Sequence, residues 1–136
     1  MTANPSIVNA NQQLITRLLD NLPTGYTSST VKLPNRTFKQ PSNTKWLRAT
    51  VINQDANNTQ AGGYWTRYDG QFVVDVFYPV GNDTIPQLQD AETIQALYQN
   101  LRFGGVNCQA ALIDEIGPED SWYHVQINID FYYEGY

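Results

Sequence analysis

The sequence predicts an α+β domain in which a four-stranded antiparallel or mixed sheet carries two helices on one face. Three observations support this fold class: strict apolar–polar alternation near the C-terminus, two segments with apolar residues at helical spacing, and the element order helix, strand, loop, strand, helix, strand, strand. A chain of 136 residues has the usual size of one domain. We therefore expect residues 1–136 to form a single domain.

The first helix is predicted to begin at Asn4 and Pro5, which suit the N-cap and the first helical position. Apolar residues then recur at helical spacing until Leu22, after which Pro23 ends the helix. Residues 23–45 are rich in Pro, Thr, Ser and Gly and carry several Lys and Arg side chains. This composition predicts a long extended basic arm with at most short strand pieces.

Two strands are predicted next, over Trp46–Ile52 and Tyr64–Tyr78. The stretch between them, residues 53–63, is rich in Asn, Gln and Gly and is predicted to be a mobile loop. The second strand has apolar residues on both faces, which is typical of a central strand. Its alternating sets are Phe72, Val74 and Val76 on one face and Val73, Asp75 and Phe77 on the other.

The second helix is predicted to open at Asp83 and Thr84, where Thr84 and Gln87 fit a capping box. An apolar stripe extends to Leu101 before two consecutive glycines end the helix. Residues 106–116 are predicted to form the third strand, and residues 117–121 an acidic turn.

The fourth strand, Trp122–Tyr133, has the clearest alternation in the chain. Its inward residues are Tyr123, Val125, Ile127, Ile129 and Phe131, and its outward residues are His124, Gln126, Asn128 and Asp130. The outward face is polar but hardly charged, and it lacks the clustered acids, bases, thiols or metal ligands that an active site needs. This pattern favours a protein-docking surface over an enzyme.

The charges divide strongly along the chain. Residues 1–68 carry seven basic and two acidic side chains, whereas residues 69–136 carry one basic and eleven acidic side chains. One interpretation is that the halves neutralise each other within one fold. The other is that the basic side of one copy meets the acidic side of the next, in a head-to-tail arrangement that closes into a ring.

Other chemistry is weakly indicated. His124 and Asp130 share a strand face but lie roughly 20 Å apart by strand rise, so we expect an exposed or interfacial histidine and not a catalytic one. The acidic turn could hold a divalent cation, although a solvated turn is favoured because it lacks the spacing of a binding loop. We expect no cofactor or metal, and we expect the single cysteine, Cys108, to be a buried small hydrophobe.

The sequence shows no signal peptide and no apolar run approaching the roughly 18 residues needed to span a membrane.

Three runs carry a family resemblance: Trp46–Val51, Gly70–Gly81 and Ile116–Ile129. Their most specific parts are the G-x-F-x-V-D-V-F-x-P-x-G strand with its turn and the D-x-W-Y-x-V strand start. The chain resembles the tail terminator-like proteins of long-tailed phages, similar in role to the lambda tail terminator. The resembling motifs are strand and turn signatures and none of them is catalytic.

This resemblance implies a virion structural protein that forms a hexameric ring on the head-proximal end of the tail tube. Such a ring would be assembled in the host cytoplasm, stop tube growth and offer a surface to the head-completion or connector protein. DNA would pass through its lumen without specific binding, as suits a chain with a sequence pI near 4.5.

Two other functions remain open at this stage. One is another phage neck, tail or tip protein that binds glycans by stacking Tyr64 and Trp65 on sugar rings. The other, less favoured, is a small hydrolase that uses His124.

The charge order predicts which side chains join neighbouring copies in the ring. The basic candidates are Lys32, Arg36, Lys39 and Arg67, and the acidic candidates are Asp114, Glu115, Glu119 and Asp120.

Overall fold

The computed structural model describes residues 6–58 and 65–135. Its α+β class is the predicted one. In chain order the elements are α1 (Ile7–Asp20), β1 (Val31–Lys32), β2 (Trp46–Asn58), β3 (Thr66–Pro79), α2 (Thr84–Tyr98), β4 (Arg102–Phe103), β5 (Val106–Glu119) and β6 (Trp122–Gly135). Neither described helix is long and apolar enough to cross a membrane.

The described strands form one six-stranded sheet in the order β1-β2-β3-β6-β5-β4. Only β1 and β2 pair in parallel, and the other neighbours are antiparallel. The predicted count of four strands is therefore wrong. The two additional strands are β1 and β4, each of two residues at one edge of the sheet, and so short a strand cannot show an alternating pattern.

The predicted mobile loop is also wrong over residues 53–58. This stretch continues β2 and pairs with Thr66–Gly70 of β3 after a bulge between Asn53 and Asp55. Pairing with the neighbouring strand satisfies the backbone of an Asn-rich sequence whose own strand propensity is low. The remaining predicted loop residues, 59–63, lie outside the described part of the chain. At the other end of the sheet β5 continues to Glu119, so the predicted acidic turn shortens to Asp120 and Ser121.

Both helix starts differ from the predicted caps. The Ser6 hydroxyl caps α1 by accepting from the Asn9 N–H at 3.0 Å, and the predicted cap Asn4 lies outside the described residues. Asp83 caps α2 by accepting from the Ile85 N–H. The predicted capping role of Gln87 is wrong, because its side chain is buried and donates to backbone carbonyls of β3 and β6.

One hydrophobic cluster contains buried residues of both helices and of the long strands. Tyr98 of α2 lies fully within it, and its hydroxyl donates to the Leu14 carbonyl of α1 at 2.7 Å. The inward residues of β3 and β6 belong to the same cluster: Phe72, Val74, Val76, Val125, Ile127, Ile129 and Phe131. The alternation therefore identified the core face of these two strands correctly.

The opposite face of the sheet has a small aromatic cluster of its own. Trp46 and Phe77 stack at 4.2 Å between ring centroids, and Trp122 meets Trp46 edge-on. Phe38, from the predicted basic arm, packs against this cluster. Within residues 23–45 the structure also has a 3-10 turn at Ser28–Thr30 and strand β1. The segment is thus partly packed onto the domain.

Candidate functional site

The polar face of the sheet is organised around one buried carboxylate, Asp75 of β3, which is 2% exposed. Arg48 Nε on β2 and Gln126 Nε2 on β6 each donate to it at 2.9 Å. His124 Nε2, also on β6, lies 2.5 Å from Asp75 Oδ1. Since an ionised carboxylate only accepts hydrogen bonds, the Nε2 atom of His124 carries the proton in this contact. Asp75 therefore joins three adjacent strands.

The same contacts set the charge state of Asp75. Burial alone would raise the pKa of its carboxyl group, but hydrogen bonds from His124, Gln126 and Arg48 outweigh burial and hold the pKa below its ordinary value of 3.8. The carboxylate is therefore ionised under all physiological conditions.

A lowered pKa in the folded state makes stability depend on pH. The stabilisation is fully present above the ordinary carboxyl pKa of 3.8 and is lost as the pH falls through the lower folded value. We expect the difference in unfolding free energy between the wild type and Asp75→Asn to be large at pH 7 and to shrink below pH 3.8. Urea unfolding of both proteins across this range measures it. An equal difference at pH 7 and pH 3 would contradict the assignment.

The structure overturns the prediction that His124 is exposed. Its side chain is buried, its ring stacks on Phe77 at 4.5 Å between centroids, and its Nδ1 atom lies 3.4 Å from Glu119 Oε2. Asp75, and not Asp130, is its carboxylate partner. A buried imidazole that is stacked and hydrogen-bonded in this way holds strands together and does not face a substrate.

A second carboxylate, Asp90 of α2, anchors the segment that precedes β2. Lys45 Nζ lies 3.0 Å from Asp90 Oδ2, and the hydroxyls of Tyr26 and Tyr78 donate to the same oxygen. Lys45 also donates to the Thr24 carbonyl. These bonds tie the start of the predicted arm to α2 and β3.

Part of the charge division along the chain is neutralised within the fold. The three described ion pairs of Lys and Arg each join a base of residues 1–68 to an acid of residues 69–136: Lys45 with Asp90, Arg48 with Asp75, and Arg67 with Asp69. Neutralisation within one fold accounts for these pairs. Arg67, a predicted interface residue, also lies over the Tyr132 ring, with its Cζ atom 3.8 Å from the ring centroid. Its guanidinium group therefore makes contacts within its own chain.

The other predicted interface residues are exposed and fall into two groups on different strands. Lys32 lies on β1, and Arg36 and Lys39 lie in the segment that follows it. The acidic group lies on β5 and in the turn after it: Asp114, Glu115, Glu119 and Asp120. With β2, β3 and β6 between them, β1 and β5 are separated by roughly 19 Å at the usual strand spacing. Among the described ion pairs none joins the two groups.

Two features of this surface escaped the sequence analysis. Asp75 is the only charge within the apolar run Phe72–Phe77 of β3, which is the usual sign of a buried paired carboxylate. Leu112 and Ile116 of β5 are 65% and 50% exposed, because register shifts between Cys108 and Ala111 and between Glu115 and Gly117 change which side chains of β5 face outward. Simple alternation cannot reveal such shifts.

The remaining candidate sites gain no support. Trp65 is half-buried and donates to Glu134, and Tyr64 lies outside the described residues, so nothing in the described structure supports the glycan-stacking alternative. In the described chain no group of three or more His, Cys, Asp or Glu side chains is placed to hold a metal ion. Cys108 is buried, as predicted, and burial raises the pKa of its thiol to about 12.

Comparisons with known proteins agree with this architecture. A solved structure is similar to this chain with a TM-score of 0.68 and 26% sequence identity, covering 92% of this chain and 96% of that chain. The comparison with curated protein sequences finds no significant match. The sequence profile of the phage tail terminator proteins matches residues 11–131. The chain therefore belongs to the phage tail terminator protein family, as its strand and turn motifs indicated, and it has a structural role in the phage tail.

Proposed function

We propose that this protein ends growth of the tail tube by closing its head-proximal end as a homo-oligomeric ring, with six subunits as the expected number. The observation that supports a ring is the separation of two exposed groups, basic at β1 and acidic at β5, which are not joined by any described ion pair. The basic side of one copy complements the acidic side of a second copy. A contact of this kind joins two different surfaces and is called heterologous. Repeating such a contact gives a closed ring when the rotations between neighbouring copies add up to a full turn.

Electrostatic complementarity favours this arrangement over contacts between like sides. Lys32, Arg36 and Lys39 of one copy would face Asp114 and Glu115 of the next. Charge pairs at the rim of an interface act mainly on orientation and association rate. Apolar contacts must therefore supply much of the affinity.

The remaining partners follow from a ring at the end of a tube. One face would contact the tail tube protein and the other the head-completion or connector protein, in the manner of the lambda tail terminator. DNA would pass through a lumen without being held, since a chain of net charge −5 is poor at non-specific phosphate binding. Assembly would take place in the host cytoplasm before the tail joins the head.

Tube assembly with and without this protein tests the proposal. With it, we expect tubes of one narrow length distribution that carry a ring at one end in negative-stain images. Without it, we expect tubes to grow beyond that length. Identical lengths and ends in both preparations would exclude termination.

A charge reversal tests the interface. We expect Asp114→Lys to reduce ring formation because it places a lysine opposite the basic group of the next copy, and we expect Arg36→Glu added to it to restore rings. Glu92→Lys, at an exposed position on α2, changes the net charge equally and serves as the matched control. Native gels of the purified proteins and tube lengths report the outcome. Equal ring formation by Asp114→Lys and Glu92→Lys would remove the charge-pairing model.

A further inference from the structure

A shallow pocket of about 530 Å³ lies beside β1, where the predicted arm folds back near the end of α1. Its apolar lining comes from Leu19, Val31, Leu33 and Phe38, and its basic lining from Arg36 and Lys39. Both basic side chains are exposed, and neither has an ion-pair partner in the described structure. The pocket therefore suits an apolar group that is accompanied by carboxylates.

Strand β5 carries this combination on its exposed surface. Leu112 and Ile116 are the two large apolar side chains of β5 that are mostly exposed. Asp114 and Glu115 lie between them and are also exposed. Exposed apolar side chains that are rimmed by charged residues are one type of surface that marks a protein–protein contact.

Leu112 and Ile116, here called the anchor, cannot reach the pocket of their own chain. Strands β2, β3 and β6 separate β5 from β1, a distance of roughly 19 Å at the usual strand spacing. Leu112 and Ile116 can therefore enter such a pocket only on another molecule.

We propose that Leu112 and Ile116 of one copy insert into the pocket beside β1 of the next copy, with Asp114 and Glu115 facing Arg36 and Lys39. This rests on the proposed ring and names the apolar contact that holds it together. Each copy has one anchor on β5 and one pocket beside β1. When two copies make this contact, the anchor of one copy and the pocket of the other remain free. That is the condition for a ring and not for a closed dimer.

Cysteine cross-linking tests the contact directly. Ser29 lines the pocket, so the double variant Ser29→Cys with Leu112→Cys places one thiol in each half of the interface. On oxidation we expect a ladder of covalent oligomers under denaturing conditions, both for purified protein and for tails assembled with the variant. Each single variant should give no ladder, since its partner thiol is missing. The native Cys108 is buried and is kept in all variants.

The matched control is Ser29→Cys with Glu92→Cys, which moves the second thiol from β5 to an exposed site on α2. We expect this pair to give no ladder. The same ladder from both double variants would overturn the proposal, because it would show collision and not a defined contact.

Removing the anchor provides an independent measurement. We expect Leu112→Ser to weaken self-association about tenfold or more, as truncation of a central interface residue does. Ile85→Ser removes an exposed apolar side chain of α2 and should leave self-association unchanged. Sedimentation velocity over a concentration series compares them, and equal association of the two variants would contradict the anchor.

These results separate this inference from the proposed function. If tubes are terminated normally but the β5 and pocket cysteines give no ladder on assembled tails, the anchor contact is wrong and termination stands. If the ladder forms but tube length does not depend on the protein, self-association is right and termination is wrong.

Discussion

Replacing Ile127 by Asp is expected to unfold the domain. Ile127 is 0% exposed, and its cross-strand neighbours Val74 and Ile113 are both apolar. A carboxylate at this position loses the transfer energy of the isoleucine and remains without a partner in the core. The combined cost exceeds about 5 kcal/mol, which is comparable to the whole stability of a domain. Far-UV circular dichroism and urea unfolding of the purified variant measure this loss.

The matched control lies one residue along the same strand. Asn128 points to the opposite face and is half-buried, so Asn128→Asp should remain folded with a cooperative transition. A native-like transition for Ile127→Asp would show that the inward face of β6 has been assigned wrongly.

The second large effect is expected for Asp75→Ala. Without the carboxylate, the buried side chain of His124 and the half-buried side chain of Gln126 lose their shared acceptor. Leaving a buried donor without its acceptor costs about 1 to 3 kcal/mol. The lost ion pair with Arg48 adds less to the loss of stability, because the Arg48 side chain is 39% exposed and is solvated by water when the pair is broken. Urea unfolding at pH 7 should show a lower midpoint with an unchanged slope.

Asp130→Ala is the control for this change. Asp130 is an exposed carboxylate on the same face of the sheet, where it accepts one bond from Gln71 at 3.3 Å. We expect its replacement to alter stability by less than about 1 kcal/mol. Equal losses for Asp75→Ala and Asp130→Ala would mean that the buried cluster does not stabilise the sheet.

These effects bear on assembly as well as on stability. Asp75 holds β2, β3 and β6 together, and these three strands separate the basic group beside β1 from the acidic group on β5. A sheet that is rigid at its centre keeps the anchor and the pocket at a constant distance. In the proposed ring, identical copies would then repeat the same contact, because a stiff body keeps the angle between neighbours constant.

Local patterns predicted the long elements because their signals lie within a few neighbouring residues. The alternation from Tyr123 to Phe131 marked the buried face of β6, and the spacing of Leu14 and Leu18 marked α1. The same reasoning missed β1 and β4, and it assigned residues 53–58 to a loop. In each case the backbone is held by pairing with a neighbouring strand, and the apolar pattern within the segment does not record that pairing.

The candidate surface also has some features that the sequence predicts and others that only the tertiary structure decides. Composition, charge order and alternation were enough to predict two oppositely charged halves and a polar outward face of β6, because these properties depend only on which residues are present and on strand periodicity. The sequence motifs likewise indicated the tail terminator family. The order of the strands decided which charged side chains pair inside the fold. Arg48, Asp75 and His124 meet only because β2, β3 and β6 lie side by side. The exposure of Leu112 and Ile116 arose in the same way, from register shifts against a partner strand.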